Sequence, residues 1–255
     1  MSAGIPPRIA IPMPHSTDRE YAERSIPQYE NAVRLAGGDP VRIPLDLTVA
    51  EAMKIVERCD GVLLPGSKAD VDPGKFGETR SSHTANADPA RDNIDQLMLE
   101  DAYRLRKPVL GICYGLQSLN VYRKGSLIQH IPDFLPAELR ARVDHEAGRN
   151  VAVAHQVELT PGSKLSGLAA PNNGKAVFGV NSSHHQSAEK IGDGLRIVGR
   201  SVEDGIVEAL EGTASDHFVI AVQWHPERSV DSDEPSRAIF LGLVQAAARR
   251  SKSRN

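Results

Sequence analysis

Cysteine and aromatic residues are scarce in this sequence, and long apolar runs are absent from it. Two of the 255 residues are cysteines, Cys59 and Cys113, so a disulfide framework is excluded; one bridge remains open, but no other feature indicates secretion. Aromatic residues make up 4% of the chain, so we expect an aliphatic core. No apolar run is long enough to span a bilayer, and prolines and Arg8 interrupt the N-terminal region where a signal peptide would be apolar. We therefore predict a cytoplasmic protein.

The sequence also lacks a large net charge of either sign. The 30 basic and 33 acidic residues give a net charge of -3, which offers no electrostatic attraction to nucleic acid or to an anionic membrane surface. Hydrophobic residues account for 40% and charged residues for 25%, as in ordinary globular proteins. Since no linker divides the sequence, we predict one domain over residues 1–250 and a disordered basic tail at 251–255.

The first half of the sequence alternates short apolar segments with segments of helical spacing. The strand candidates are 8–11, 41–43, 61–64 and 108–112, and the helix candidates are 26–36, 48–59 and 89–106. This β-α-β-α order predicts an α/β fold with an open, mostly parallel central sheet covered by helices on both faces. Residues 65–88 form a long Gly-, Ser-, Asp- and Pro-rich segment, which is typical of a lid, a binding loop or disorder.

The second half is richer in strand patterns separated by short turns. Its strand candidates are 150–160, 195–200, 205–210 and 217–224, and one helix candidate at 237–248 follows them. We expect these strands to extend or flank the central sheet, some of them antiparallel.

The stretch GICYG places the thiol of Cys113 between two glycines, where a predicted strand meets a predicted helix. A sharp strand-to-helix turn strains the backbone of its central residue and requires small neighbours, as in a nucleophile elbow. Gly111 and Gly115 meet that requirement, and the helix N-terminus would favour the thiolate form of Cys113. The alternative is a buried structural cysteine whose glycine neighbours permit tight packing.

A nucleophilic thiol needs a base and an orienting group, and the stretch QWHPE offers both at the end of a predicted strand. Pro226 biases His225 toward an extended conformation, in which residues i and i+2 point to the same side. His225 and Glu227 would then share a face, and the carboxylate could orient the imidazole. The alternative is a surface His-Glu pair.

An oxyanion site could form where Leu64-Pro65-Gly66-Ser67 ends another predicted parallel strand. The backbone N–H groups there, together with the N–H of Tyr114 after the nucleophile, could face a developing negative charge. An ordinary Pro-Gly turn is the alternative.

The motifs LPGS, GICYGLQ and QWHPE, in this order, resemble a class I glutamine amidotransferase domain over nearly the whole chain. The segments PGSKADVDPGKFGE, NSSHHQ and GLRIVGRSVEDGIVEAL are similar to those of the γ-glutamyl-γ-aminobutyrate hydrolase (peptidase C26) family within that superfamily. The resemblance implies a flavodoxin-like sheet and suggests a homodimer. The site residues it implies are the nucleophile Cys113 with the base His225 and its orienting residue Glu227, the oxyanion donors Gly66, Ser67 and Tyr114, and the substrate contacts Gln117, Ser183 and His184.

The implied reaction is cysteine-dependent hydrolysis of the amide bond of γ-glutamyl-GABA or a related γ-glutamyl amine, through a thioester and without a metal or organic cofactor. A small γ-glutamyl molecule would be the partner, and putrescine catabolism is the pathway the resemblance suggests. The alternatives are an ammonia-supplying glutaminase subunit of an amidotransferase and a non-catalytic γ-glutamyl-binding protein.

Two open points concern the residues around this site. Gln117 could be a solvated helix residue and His184 a packing residue, and no ligand spacing indicates a metal site among His145, His184 and His185. The sequence departs from the family at Tyr114 and at 122–124, which puts the acceptor side of the substrate in doubt.

Overall fold

A nine-stranded sheet forms the centre of the molecule, and a two-stranded sheet packs beside it. The computed structural model describes residues 5–169 and 176–254. The strands of the large sheet are β1 (Arg8–Pro12), β2 (Asp39–Ile43), β3 (Gly61–Leu64), β4 (Val109–Ile112), β6 (His155–Leu159), β7 (Ala176–Val180), β9 (Leu195–Ser201), β10 (Val207–Gly212) and β11 (Val219–Val222). The small sheet pairs β5 (Leu127–Ile128) with β8 (Ser187–Ala188).

The strand order of the large sheet is β2-β1-β3-β4-β11-β10-β9-β6-β7. The first five strands are parallel, and every pairing from β11 to β7 is antiparallel. The helices are α1 (Arg19–Leu35), α2 (Val49–Val56), α3 (Pro89–Leu105), α4 (Tyr114–Tyr122), α5 (Ile131–Phe134), α6 (Ala137–Arg140), α7 (Lys164–Ala169) and α8 (Glu234–Arg254). The predicted open, mostly parallel α/β sheet with antiparallel strands in the second half is confirmed.

Two aliphatic clusters cover the two faces of the sheet. Successive residues of β1 enter different clusters, because neighbouring side chains of a strand point to opposite faces. Ile9 packs with residues of α1 and α8, whereas Ala10 packs with residues of α2, α3 and α4. Helices therefore cover both faces, as predicted. No helix in the described part of the chain combines the length and apolar character needed to cross a membrane.

Helices α1 and α8 differ most from the predicted helix boundaries. Helix α1 begins at Arg19 rather than near Ile26, because the Asp18 side chain accepts the N–H of Tyr21 and caps a first turn whose apolar spacing is weak. Helix α8 continues through Arg254, into the basic segment for which the sequence predicted disorder. Arginine and lysine are good helix formers, and cations are favourable near a helix C-terminus. Asn255 lies outside the described residues.

We expect Gly115→Ala to destabilise the fold strongly. A β-carbon at Gly115 would overlap the carbonyl oxygen of Leu64, which belongs to β3 and cannot move without disturbing the sheet. Overpacking of this kind costs about 1–3 kcal/mol or more, so the midpoint of urea unfolding should fall. Gly167→Ala in α7 is the matched control, since no atom lies within 4 Å of a β-carbon there. Equal midpoints for the two variants would contradict this packing argument.

Candidate active site

Three neighbouring parallel strands bring the predicted site residues to one edge of the sheet. Strands β3, β4 and β11 are adjacent and run in the same direction, so their carboxyl ends lie side by side. The segment Gly66-Ser67 follows β3, Cys113 follows β4 and His225 follows β11. This is the edge at which ligands bind in open α/β sheets.

Cys113 occupies a strained turn between β4 and α4. Its φ of 53° and ψ of -108° place a non-glycine residue at positive φ, which is uncommon and marks an elbow. A β-carbon at Gly111 would lie 2.7 Å from the carbonyl oxygen of Gly115, so the turn needs a glycine before the thiol. Cys113 is 5% exposed, and it is a free thiol, as is Cys59.

His225 and Glu227 form a buried pair beside the elbow. His225 Nδ1 lies 2.8 Å from Glu227 Oε1, although the chain after His225 forms a short 3-10 turn rather than continuing in the predicted extended conformation. Asn181 holds His225 by its backbone, because its side chain donates to the carbonyl at 2.9 Å and accepts from the N–H at 3.0 Å. The imidazole is therefore fixed at both its ring and its main chain.

The electrostatics of the pair favour a charged imidazole. Burial alone would lower the pKa of His225, but the negative charges of Glu227 and Cys113 raise that pKa to about 9. Burial likewise acts to raise the pKa of Glu227, yet the neighbouring His225 and Arg228 hold it below its ordinary value. A pKa of about 9 keeps His225 protonated at neutral pH, between the Glu227 carboxylate and Cys113.

The three predicted oxyanion positions differ in their backbone surroundings. The N–H of Gly66 donates to the hydroxyl of Tyr29 at 3.1 Å. Ser67 lines the cavity beside the thiol, and Tyr114 is the first residue of α4, where an N–H has no partner within the helix. The Tyr114 N–H is thus free of a helical partner, whereas the Gly66 donor would have to leave Tyr29, and Ser67 is placed only by its position in the cavity wall.

The side chain of Tyr114 points away from the cavity. Its ring lies under the guanidinium of Arg91 at 4.8 Å, and its hydroxyl bonds to Asp92. Arg91 in turn donates to the carbonyl of Pro65 at 2.6 Å, so this buried group supports the loop that carries Gly66. Residues 122–124 also lie outside the lining of the cavity. Neither departure from the family pattern therefore lines the cavity.

A cavity of about 270 Å³ opens in front of Cys113. Gln117 is buried in its wall and donates to the carbonyl of Gln186 at 3.2 Å, so it is not a solvated helix residue. Besides the pair of His225 and Glu227, the charged side chains that line the cavity are Arg24, Lys68, Asp70, Glu146, Arg149 and Arg228. This lining suits a small zwitterionic molecule.

The two predicted contacts in the stretch NSSHHQ have different partners. Ser183 Oγ accepts from Arg228 Nη1 at 2.9 Å, so this serine and this arginine form one polar group in the cavity wall. His184 also lines the cavity, but its ring nitrogens face inward, to the carbonyl of Gln186 and to Glu208. His185 instead lies 3.0 Å from Asp70 in the loop at 65–88.

Sequence reasoning missed three residues of this site. Tyr29 counted as an apolar helix position, Asn181 stood in a quoted motif without a role, and Arg228 directly follows Glu227. Only Arg228 carried a signal, because a cation beside a predicted catalytic pair can bind a substrate carboxylate.

Comparisons with known proteins show the family to which this chain belongs. The family model described as Peptidase C26 matches residues 4–227. The γ-glutamyl-γ-aminobutyrate hydrolase PuuD of Escherichia coli K12 is 33% identical over 244 residues, which cover 94% of this chain and 93% of the relative. A glutamine amidotransferase-like protein of Rickettsia prowazekii is 33% identical, with 86% of this chain and 87% of the relative covered.

A solved structure supports the fold. A protein from Thermoplasma acidophilum, described as part of a GMP synthase, superposes with a TM-score of 0.65 at 15% identity, covering 99% of both chains. The predicted family is confirmed by the family model and by the identity to curated relatives: the chain belongs to the peptidase C26 family and is a hydrolase acting on C–N amide bonds.

Proposed function

We propose that this protein hydrolyses the γ-glutamyl amide bond of γ-glutamyl-GABA or a related γ-glutamyl amine and releases glutamate. The observation that carries the proposal is the thiol of Cys113 at a strained turn, beside an imidazole that lies 2.8 Å from the carboxylate of Glu227. The 33% identity to a protein named as a γ-glutamyl-γ-aminobutyrate hydrolase supports this substrate class.

The reaction begins when the Cys113 thiolate attacks the γ-carbonyl carbon, forming a C–S bond and pushing an electron pair onto the carbonyl oxygen. Backbone N–H groups at Ser67 and Tyr114, with Gly66 once Tyr29 withdraws, stabilise this oxyanion. The C–N bond breaks as His225 gives its proton to the leaving amine. His225 then takes a proton from water, whose hydroxide attacks the thioester, and glutamate leaves as the thiolate re-forms.

Charge in the cavity matches a glutamyl head group. Arg228 and Ser183 offer a guanidinium and a hydroxyl to the α-carboxylate, while Asp70 and Glu146 offer negative charge to the α-ammonium. Gln117 lies in the same wall, one helical turn after the nucleophile. The glutamyl group would thus be held with its γ-carbonyl toward Cys113.

We expect Arg228→Met to raise KM for the γ-glutamyl substrate by about 10- to 100-fold, because a hydrogen bond to a charged group is lost. The effect on kcat should be smaller. Arg24→Met is the matched control: Arg24 lines the same cavity but is exposed on α1, so its effect should be slight and should weaken with added salt. Equal rises in KM for both variants would show that the cavity attracts anions without a defined carboxylate site.

Glutamate release from γ-glutamyl-GABA and from glutamine, measured at equal concentration with Cys113→Ala as control, tests the proposal. Release from γ-glutamyl-GABA that depends on Cys113 supports it. Release from glutamine alone would favour an ammonia-supplying role within a glutamine-dependent synthetase, which relatives named as glutamine amidotransferase-like proteins suggest. Binding of a γ-glutamyl ligand without release from any γ-glutamyl amine would indicate a non-catalytic binding protein.

A further inference from the structure

A second cluster of titratable side chains lies behind the active-site cavity, and the mechanism does not use it. Three imidazoles and two carboxylates meet there, and each of the side chains of His145, His155, His184, Asp204 and Glu208 is at most 4% exposed. Glu208 belongs to β10 and His155 opens β6, whereas the other three residues come from loops. The chain therefore brings five polar groups from five separate segments into its interior.

Glu208 is the centre of this cluster. Its Oε1 atom lies 3.5 Å from His145 Nδ1, 3.2 Å from His155 Nε2 and 3.5 Å from His184 Nε2. None of these four atoms makes a hydrogen bond of acceptable geometry within the described residues. Buried polar atoms without partners cost free energy and call for an explanation such as a bound ion.

In His145 and His184, the ring nitrogen that faces away from Glu208 determines the tautomer of the ring. His145 Nε2 lies 2.9 Å from Asp204 Oδ2, and His184 Nδ1 lies 3.0 Å from the carbonyl of Gln186, so each of these nitrogens carries the proton that it donates. In the neutral rings, the lone pairs of His145 Nδ1 and His184 Nε2 then face the Glu208 carboxylate. A lone pair directed at a carboxylate is repulsive unless a cation lies between them.

We propose that His145 Nδ1, His184 Nε2 and Glu208 Oε1 bind a divalent transition-metal ion, with Zn²⁺ as the ion that the ligand set favours. These three atoms lie within 4.8 Å of one another. Ligands about 2.0–2.1 Å from a tetrahedral zinc ion are roughly 3.3–3.4 Å apart, which is close to the 3.5 Å from Glu208 to each histidine. The bonds from Asp204 and Gln186 are those by which outer groups orient metal-binding histidines.

The ion has a structural role in this position. It joins the loop that contains His145 to the stretch 181–186, and both segments line the active-site cavity. A separate cavity of about 180 Å³ is lined by His145 and His184, and the three ligand atoms themselves are buried behind it. His184 would thus shape the substrate pocket through the metal rather than by contact with substrate, and the thiol chemistry needs no metal.

Metal analysis of the untagged, purified protein tests this inference independently of any substrate. We expect about one transition-metal ion per chain by mass spectrometry. After chelation, added Zn²⁺ should raise Tm by roughly 5 to 15 °C, and added Co²⁺ should give the visible absorption of a low-symmetry site. Less than about 0.1 ion per chain, with no response to either ion, would overturn the proposal and leave a proton as the cation of the cluster.

Variants locate the ion within the molecule. Glu208→Gln and His145→Asn should lose it, whereas His130→Asn should retain it. His130 belongs with His83 and Asp133 to a second group that could hold a metal, so loss of the ion in His130→Asn would place the ion there instead. Cys113→Ala should also retain it. Metal lost with Cys113→Ala and kept with Glu208→Gln would place the ion on the active-site thiol and refute the assignment. If Glu208→Gln fails to fold, the Co²⁺ spectrum and the Tm shift of the wild-type protein still test whether the chain binds a metal.

Discussion

Cys113→Ala should lower glutamate release from a γ-glutamyl amine by at least about 10⁴-fold, since removing the nucleophile of a catalytic triad has effects of this size or larger. The substitution only removes the sulfur atom and leaves a methyl side chain on the same strained backbone, so the fold should persist. Initial rates under saturating substrate, together with circular dichroism of the variant, measure both parts of this expectation. Residual activity within about tenfold of wild type would remove Cys113 from the mechanism.

The chain supplies its own control in Cys59, the second buried thiol. Burial raises the pKa of Cys59 to about 11, so it is protonated at neutral pH, and its Sγ donates to the carbonyl of Ile55. Cys59→Ala should therefore keep full activity. An electrophilic glutamine analogue should label Cys113 and spare Cys59, as peptide mass mapping would show. Preferential labelling of Cys59 would contradict the assignment of a thiolate to the elbow.

The positions of the triad residues were predictable because they depend on local patterns that the sheet preserves. Gly111 and Gly115 flank the thiol for a steric reason, and each lies where a β-carbon would meet backbone. Short apolar runs before Cys113 and His225 are strands, and parallel strands that are neighbours in space place their carboxyl ends together. Chain order did not predict that β11 would lie beside β4; the family resemblance implied only that Cys113 and His225 act in one site.

The remaining features of the site depend on contacts between residues far apart in the sequence. The bond from the Gly66 N–H to Tyr29 joins residues 37 positions apart, and no periodicity predicts it. The same holds for Asn181 and His225, which are 44 positions apart. The direction of the Tyr114 side chain is set by Arg91 and Asp92 on α3. These contacts follow from how the folded chain packs and from the need of buried polar groups for hydrogen-bond partners. The spacing of residues along the sequence does not reveal either.

The histidine cluster shows this limit most clearly. His145, His184 and Glu208 have none of the short spacings that identify metal ligands in a sequence, and His185, which was weighed with them, lies against Asp70 instead. The strand pairing of β9, β10 and β6 brings His155 and Glu208 together, and the hydrogen bond between the N–H of His184 and the carbonyl of His145 joins the two loops. A candidate metal site thus became visible only in the folded chain.

Glu227→Gln should lower kcat by about 10²- to 10⁴-fold and shift the alkaline limit of activity to lower pH. In the native protein, burial acts to lower the pKa of His225, but the charges of Glu227 and Cys113 raise it to about 9. The imidazolium that protonates the leaving amine should therefore persist up to about that pH. Without the Glu227 charge, the pKa of His225 falls toward its ordinary value of 6.5, and the proton is lost earlier.

The same ionisation makes stability depend on pH in a defined direction. Because the pKa of His225 is higher in the folded chain than the value of 6.5 for an unperturbed histidine, its contribution is complete below pH 6.5 and is lost as pH rises through about 9. This shift corresponds to about 3 kcal/mol. Other buried groups titrate at high pH as well, so the informative quantity is the difference between wild type and Glu227→Gln in urea unfolding at about pH 6 and pH 10.

Glu146→Gln is the matched control for both measurements, because Glu146 lines the cavity but does not contact His225. It removes one negative charge near the site, as Glu227→Gln does, and should leave the alkaline limit near pH 9 while raising KM. A common shift in both variants would mean that the general field of the cavity sets the pKa of His225. An alkaline limit that moves only in Glu227→Gln would assign that pKa to the buried pair, and with it the role of Glu227 as the group that keeps the general acid charged.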